Sequence, residues 1–92
     1  HFINHIFVKE EIDYVQKYKF PAQHYAVRFA AKEAVFKAVS NDPHLSWKDI
    51  VISNNSDGKP CCVLNKKNFP YKILISLSHS KYYAVASAII TT

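Results

Sequence analysis

The order of apolar and polar residues predicts two helices in the first half of the chain. Lys9–Tyr18 carries apolar residues at helical spacing, with Ile12 and Val15 directed inward. Pro21–Val39 is predicted as a longer helix, because proline suits the first turn and the apolar pattern continues after it. We expect this helix to stop at Ser40-Asn41-Asp42-Pro43, where turn-forming residues precede a proline.

The apolar spacing changes to alternation after the middle of the chain, which predicts strands. Asp49–Ser53 and Cys61–Leu64 are predicted to pair as a hairpin. The segment between them contains Asp57-Gly58, a dipeptide that favours a tight turn.

A second hairpin is predicted at the end of the chain. Tyr71–Leu77 and Tyr82–Ile90 read as strands joined by the connection Ser78-His79-Ser80-Lys81. The last strand places small residues on one face, which lets a helix approach closely: Ala84, Ala86 and Ala88. Helices followed by strands indicate a single α+β domain over residues 1–92, with the long helix packed on an antiparallel sheet.

The chain is basic, but its basic residues are not arranged as in a typical nucleic-acid-binding protein. There are 12 Lys and Arg against 7 Asp and Glu, which gives a formal charge of +5. Arg28 is the only arginine, and no basic stripe stands out. We therefore expect no nucleic-acid partner, although a small basic nucleic-acid-binding domain remains an alternative. We also expect no membrane partner, because no apolar stretch approaches the roughly 20 residues of a membrane span.

The two cysteines do not indicate a disulfide framework or a zinc site. Cys61 and Cys62 are adjacent in a predicted strand, so their side chains point to opposite faces. No CxxC or CxxH spacing is present. We expect reduced cysteines in an intracellular compartment.

Glu33 is the most informative residue of the long helix. At 100° per residue it is central to an apolar face, and the helix is apolar nearly all round, so we expect it to be largely buried. A buried carboxylate needs a partner, and Lys37 lies four residues later in the favourable order. Two interpretations stay open: an ordinary helix ion pair, or a metal-binding glutamate beside a lysine that holds a phosphate.

Two later segments carry candidate phosphate-binding groups. Gly58-Lys59-Pro60 displays an ammonium after the predicted turn, and Ser76-Leu77-Ser78-His79-Ser80 brings hydroxyls and an imidazole to the second connection. Each segment alone is also compatible with an ordinary polar turn. A serine hydrolase is not indicated, because the chain contains no G-x-S-x-G sequence.

The combination and order of these motifs resemble the holo-acyl-carrier-protein synthase family of 4′-phosphopantetheinyl transferases. The resemblance covers almost the whole chain. The residues that carry it are Phe7-Val8-Lys9-Glu10-Glu11-Ile12, Arg28-Phe29-Ala30-Ala31-Lys32-Glu33-Ala34 with Lys37-Ala38, Gly58-Lys59-Pro60, and Ser76-Leu77-Ser78-His79-Ser80 with Tyr83-Ala84-Val85-Ala86.

The resemblance implies an enzyme that moves 4′-phosphopantetheine from coenzyme A to a serine of apo-acyl carrier protein and releases adenosine 3′,5′-bisphosphate. By this resemblance Glu33 is a catalytic residue and the ligand of Mg²⁺. Lys37 matches the lysine that neutralises the transferred or leaving phosphate. Lys32 resembles a further contact to the coenzyme A phosphates. The positions expected around the adenine and 3′-phosphate are Arg28, Lys59, Pro60, Ser78, His79 and Ser80.

One family feature does not lie in these 92 residues. Family members begin with a strand that bears a second metal-binding aspartate, followed by a basic helix that docks the carrier protein. We expect the natural polypeptide to extend upstream of His1, and a metal titration with and without such an extension tests this expectation. A catalytically degenerate member that acts as an interaction domain is the other alternative.

The resemblance also implies an assembly, a partner and a location. Small members of the family are homotrimers with coenzyme A between subunits, and their carrier proteins are acidic, which suits a chain of charge +5. We expect the cytoplasm, or the stroma of an organelle that makes fatty acids.

Overall fold

The structure, a computed structural model, describes residues 2–39, 45–64, 72–79 and 84–91. It has a helical first half and two antiparallel hairpins, which is the α+β class predicted from the sequence. The elements are α1 (Phe2–Ile6), α2 (Lys9–Val15), α3 (Pro21–Ala38), a 3₁₀ turn (Trp47–Asp49), β1 (Ile50–Asn54), β2 (Pro60–Leu64), β3 (Lys72–His79) and β4 (Ala84–Thr91).

The helices begin where the sequence predicts. α2 starts at Lys9, where the backbone N–H of Val8 donates to the carboxylate of Glu11, and it ends three residues before the predicted Tyr18. Pro21 occupies the first turn of α3. The expected stop at residues 40–43 lies outside the described residues. The sequence pattern did not predict α1 or the 3₁₀ turn.

Both predicted hairpins are present. Ile52 lies opposite Cys62 in the first, and Ile75 lies opposite Ala88 in the second. The hairpins are neighbours through β2 and β3. Some predicted boundaries were wrong. β1 begins at Ile50, because Asp49 belongs to the 3₁₀ turn. β3 continues to His79, so two residues assigned to the connection, Ser78 and His79, are paired strand residues.

The core lies between α3 and the strands. Ala31 and Val35 of α3 are fully buried and pack with Leu45, Ile50 and Ile52. The inward residues of the second hairpin close this core, as the alternation predicts: Ile73, Ile75, Leu77, Ala86 and Ala88. In the part of the chain that the structure describes, no helix is long and apolar enough to cross a membrane.

Candidate active site

The outward face of α3 carries an acid and an ammonium one helical turn apart. Glu33 and Lys37 are both exposed, and neither side chain forms an ion pair or hydrogen bond with another described residue. The expected burial of Glu33 was therefore wrong. The buried apolar residues of α3, Val27, Ala31 and Val35, face the core, and Glu33 lies outside that face.

Lys32, which precedes this acid, is fully buried. Its ammonium donates to the carboxylate of Glu11 at 2.7 Å, to the carbonyl of Ile6 at 2.8 Å and to the carbonyl of Trp47 at 3.0 Å. Burial lowers the pKa of Lys32, while the carboxylate of Glu11 acts in the opposite direction. All three N–H donors of the ammonium are engaged, so in this arrangement Lys32 does not offer the contact to coenzyme A that the sequence led us to expect.

Arg28 lies one turn before Lys32 and lines a surface cavity. One terminal nitrogen donates to the side-chain oxygen of Asn54 at 2.9 Å, and the guanidinium lies 5.0 Å from the ring centre of Tyr14. The Nε of Arg28 is buried and has no hydrogen-bond partner among the residues that the structure describes. A buried donor without a partner is unusual and marks a place where a polar ligand atom would be stabilised.

The cavity beside Arg28 has a volume of about 230 Å³. It brings together two residues that the sequence proposed for coenzyme A, Arg28 and Pro60. The remaining lining residues are Tyr18, His24, Val27, Asn54, Gly58 and Leu77. The ring of Tyr18 stacks on that of His24 with centroids 3.6 Å apart, so one wall of the cavity is aromatic.

The turn between β1 and β2 presents Lys59 at the edge of this cavity. The side-chain oxygen of Asn55 accepts from the backbone N–H groups of Asp57 and Lys59, and Gly58 has a positive φ of 82°. The side chain of Lys59 is exposed and pairs with no other described residue. The hairpin therefore places an available ammonium next to Pro60.

Ser78 and His79 follow Leu77, a residue of the cavity wall, so the end of β3 lies beside the cavity. Ser80 lies outside the described residues. Arg28, Pro60, Lys59 and the end of β3 thus belong to one region of the molecule.

Glu33 and Lys37 do not share the cavity. At 100° per residue Glu33 is displaced from Arg28 by about 140° around α3, and Lys37 by about 180°. The sequence-predicted residues therefore form two groups on different faces of one chain.

The residues suit a magnesium ion only in part. No group of three His, Cys, Asp or Glu side chains is close enough to hold a metal within the described ranges. Mg²⁺ is commonly held by one or two carboxylates together with phosphate oxygens and water, and the exposed carboxylate of Glu33 has no competing hydrogen bond. Glu33 thus fits as a single protein ligand.

Sequence reasoning missed several residues of the cavity. Asn54 is the last residue of β1, and its amide nitrogen also donates to the carbonyl of Gly58 at 3.0 Å. Asn54 directly precedes a turn-forming sequence, and this local signal could have marked it as a candidate residue. Tyr18 carries no such signal, because its proximity to Arg28 depends on how the segment after α2 packs against α3. His24 lies one helical turn before Arg28 in α3, so helical spacing could have indicated it.

Comparison with known proteins agrees with this fold. Residues 1–89 match the family model of the 4′-phosphopantetheinyl transferase superfamily. A holo-acyl-carrier-protein synthase of Thermodesulfovibrio yellowstonii is 46% identical over 90 residues, which cover 98% of this chain and 78% of that protein. The corresponding protein of Ehrlichia chaffeensis is 45% identical over 96 residues, covering 99% and 78% of the two chains.

Solved structures show the same similarity. A holo-acyl-carrier-protein synthase of Bacillus anthracis in complex with CoA (3′,5′-ADP) matches with a TM-score of 0.87 at 32% identity, covering 99% of this chain and 80% of that one. The Helicobacter pylori synthase in complex with coenzyme A gives 0.85 at 27% identity, with coverage of 98% and 81%. Fold and sequence together define a phosphopantetheinyl transferase. The chain belongs to the holo-acyl-carrier-protein synthase family of the 4′-phosphopantetheinyl transferase superfamily.

Proposed function

We propose that this protein transfers 4′-phosphopantetheine from coenzyme A to a serine of apo-acyl carrier protein, with Mg²⁺, and releases adenosine 3′,5′-bisphosphate. The observation that carries the proposal is the exposed pair of Glu33 and Lys37 on α3. It occurs in a fold that matches a synthase solved with CoA (3′,5′-ADP).

The chemistry explains why an acid and an ammonium are needed. The serine oxygen attacks the phosphorus that bears the pantetheine, a new P–O bond forms, and the bond to the bridging oxygen of the diphosphate breaks. The serine proton leaves to a base, and the released nucleotide keeps the bridging oxygen with its electron pair. Mg²⁺, when bound, would offset the negative charge of the diphosphate.

The protein's own residues would perform three tasks. Glu33 would hold the metal and, through water, assist removal of the serine proton. The ammonium of Lys37 would stabilise the charge that develops on the phosphate. Arg28, Lys59 and Pro60, with Ser78, His79 and Ser80 at the end of the second hairpin, would hold the nucleotide end of coenzyme A; Lys32 takes no part in this contact.

We also propose that the protein acts as a homotrimer with sites between subunits. Arg28 and Glu33 face different directions in one chain, so a single coenzyme A molecule would reach both more readily if they came from two copies. The hairpins expose apolar side chains on the side away from α3: Val63, Leu74 and Ile89 are each more than half exposed. Such a face is suited to contact with copies of the same chain.

The decisive experiment incubates the full natural polypeptide with apo-acyl carrier protein, coenzyme A and Mg²⁺ and measures the carrier's mass. We expect a gain of one phosphopantetheine group. Glu33→Gln and Lys37→Met should each slow transfer by about 10²- to 10³-fold, the cost of losing one charge-stabilising group. Both residues are exposed, so stability should change by no more than about 0.5 kcal/mol.

Asp13→Asn and Lys48→Met are matched controls, because both residues are exposed and lie outside the proposed site. They should transfer at the wild-type rate. An unchanged carrier mass would contradict the proposed function. Wild-type transfer by Glu33→Gln would contradict the assigned role of that carboxylate.

A further inference from the structure

The buried pair of Glu11 and Lys32 joins most of the segments that surround α3. Lys32 reaches α1 through the carbonyl of Ile6 and the 3₁₀ turn through that of Trp47. Glu11 accepts hydrogen bonds from Val8, from Lys32 and, through its other oxygen, from the backbone N–H of Ile52 in β1 at 2.9 Å. The pair therefore links α1, α2, α3 and the free edge of the first hairpin.

Apolar packing alone does not fix how α3 is rotated. The helix also carries apolar residues outside its fully buried set, among them Phe29, Ala30 and Ala34, which are half-buried. Turning the helix by one residue would exchange one set of apolar side chains for another. It would also remove Lys32 from Glu11 and leave a buried charge without a partner, which is strongly unfavourable.

The rotation of α3 determines where the reactive groups point. Glu33 follows Lys32 directly, so the orientation that buries the lysine turns the acid outward. Lys37 lies near the same outward direction, one turn further along the helix.

We propose that Glu11 and Lys32 are positioning residues of the transferase site: their buried pair fixes α3 so that Glu33 and Lys37 face the substrate. This inference rests on the proposed function. Neither residue touches substrate. A small error in the position of reacting groups can slow a reaction by about 10²-fold, so the pair affects rate through geometry.

The test compares the wild-type full chain with Glu11→Gln/Lys32→Met, which removes both charges and keeps the side-chain sizes. The matched control is Lys9→Met/Asp13→Asn, which removes an exposed ion pair of 2.9 Å on α2. Folded fractions are measured by circular dichroism, and kcat is expressed per folded molecule. We expect kcat to fall about 10- to 100-fold in the buried-pair variant.

Two further measurements separate positioning from a merely structural role. KM for coenzyme A should change by less than about threefold, because Arg28 keeps its own contacts with Asn54 and Tyr14. The amide NMR resonance of Lys37, five residues from the substituted lysine, should shift in the buried-pair variant and remain unshifted in the control. Glu11→Gln alone is used if the double variant does not fold.

A wild-type kcat per folded molecule would overturn the proposal. A loss confined to KM, or an unshifted Lys37 resonance, would also overturn it. If neither variant folds, the pair serves folding itself and the positioning role is refuted. An inactive wild-type protein would refute the proposed function, and the Lys37 resonance would still report whether the pair orients α3.

Discussion

Lys32 and Glu33 are neighbours in the chain, yet one is fully buried and the other faces solvent. Burying an ammonium costs several kcal/mol, and the cost is offset only when an opposite charge and further hydrogen bonds are in place. Lys32 has Glu11 and two backbone carbonyls as partners. Glu33 has no such partner among the described residues, and it remains available for a ligand.

The reactivity of the Cys62 thiol tests the structure at a single residue. Burial raises the pKa of its thiol to about 11. Only the thiolate reacts rapidly with iodoacetamide, and at pH 8 roughly one thiol in a thousand would be ionised. We expect native Cys62 to react far more slowly than the same thiol in urea, with a rate that rises as the pH approaches 11.

The measurement is peptide mass spectrometry after timed alkylation at several pH values. The urea-unfolded chain is the control, because it exposes the same thiol without burial. Native labelling at the unfolded rate would contradict the partly buried, protonated state of Cys62.

The turn of the first hairpin depends on Gly58. Its φ of 82° is unfavourable for residues with a side chain, although a Cβ there would meet no atom within 4 Å. Gly58→Ala should therefore lower the free energy of unfolding by about 1–2 kcal/mol, entirely through backbone conformation.

Urea unfolding measures this loss, and Gly58→Asn serves as the comparison, because asparagine tolerates positive φ better. Asparagine should retain more of the stability than alanine. Equal stability of Gly58→Ala and the wild type would show that the turn does not require this conformation.

Local sequence signals predicted most elements of the fold. α2, α3 and both hairpins follow from apolar spacing, from Pro21 and from Asp57-Gly58, because each signal acts within a few residues. The pairing of Ser78 and His79 in β3 was missed because polar residues before a turn do not show where pairing stops. The short α1 was missed because five residues give too little periodicity.

The site was less predictable than the elements. The motifs proposed Glu33, Lys37 and Arg28 as site residues, but an apolar pattern on several sides of α3 cannot tell which side is covered. The partner of Lys32 is Glu11, 21 residues earlier, and no local pattern connects them. Long-range contacts therefore decided which lysine is structural and which remains accessible.

At the scale of the molecule, the formal charge of +5 affects the rate at which the protein encounters a charged partner. If the carrier protein is acidic, attraction should speed its encounter with the enzyme, and salt should screen that attraction. We expect kcat/KM for the carrier to fall severalfold between about 50 and 500 mM NaCl. The assay keeps coenzyme A saturating, and kcat at saturating carrier is the internal control. A salt-independent kcat/KM would argue against electrostatic steering.

The proposal that sites are shared between subunits makes a stronger prediction. Arg28→Ala and Glu33→Gln should each be nearly inactive alone, since one damages the cavity and the other the outward face of α3. If every site takes its cavity from one copy and its acid from another, mixed oligomers contain some sites with both residues intact. Unfolding and refolding the two variants together should then restore a substantial fraction of activity.

The control for this experiment adds Leu74→Lys to both variants. Leu74 is exposed and lies opposite Ile89 on the apolar face of the second hairpin, so a charge there should oppose contact between copies. Sedimentation should show smaller species for this form, and mixing should restore nothing. The contrary result is a mixture of single variants that also stays inactive although it sediments as an oligomer. That result would mean that each site is built within one chain. Arg28 of one copy and Glu33 of another would then not serve the same coenzyme A molecule, which contradicts the proposal.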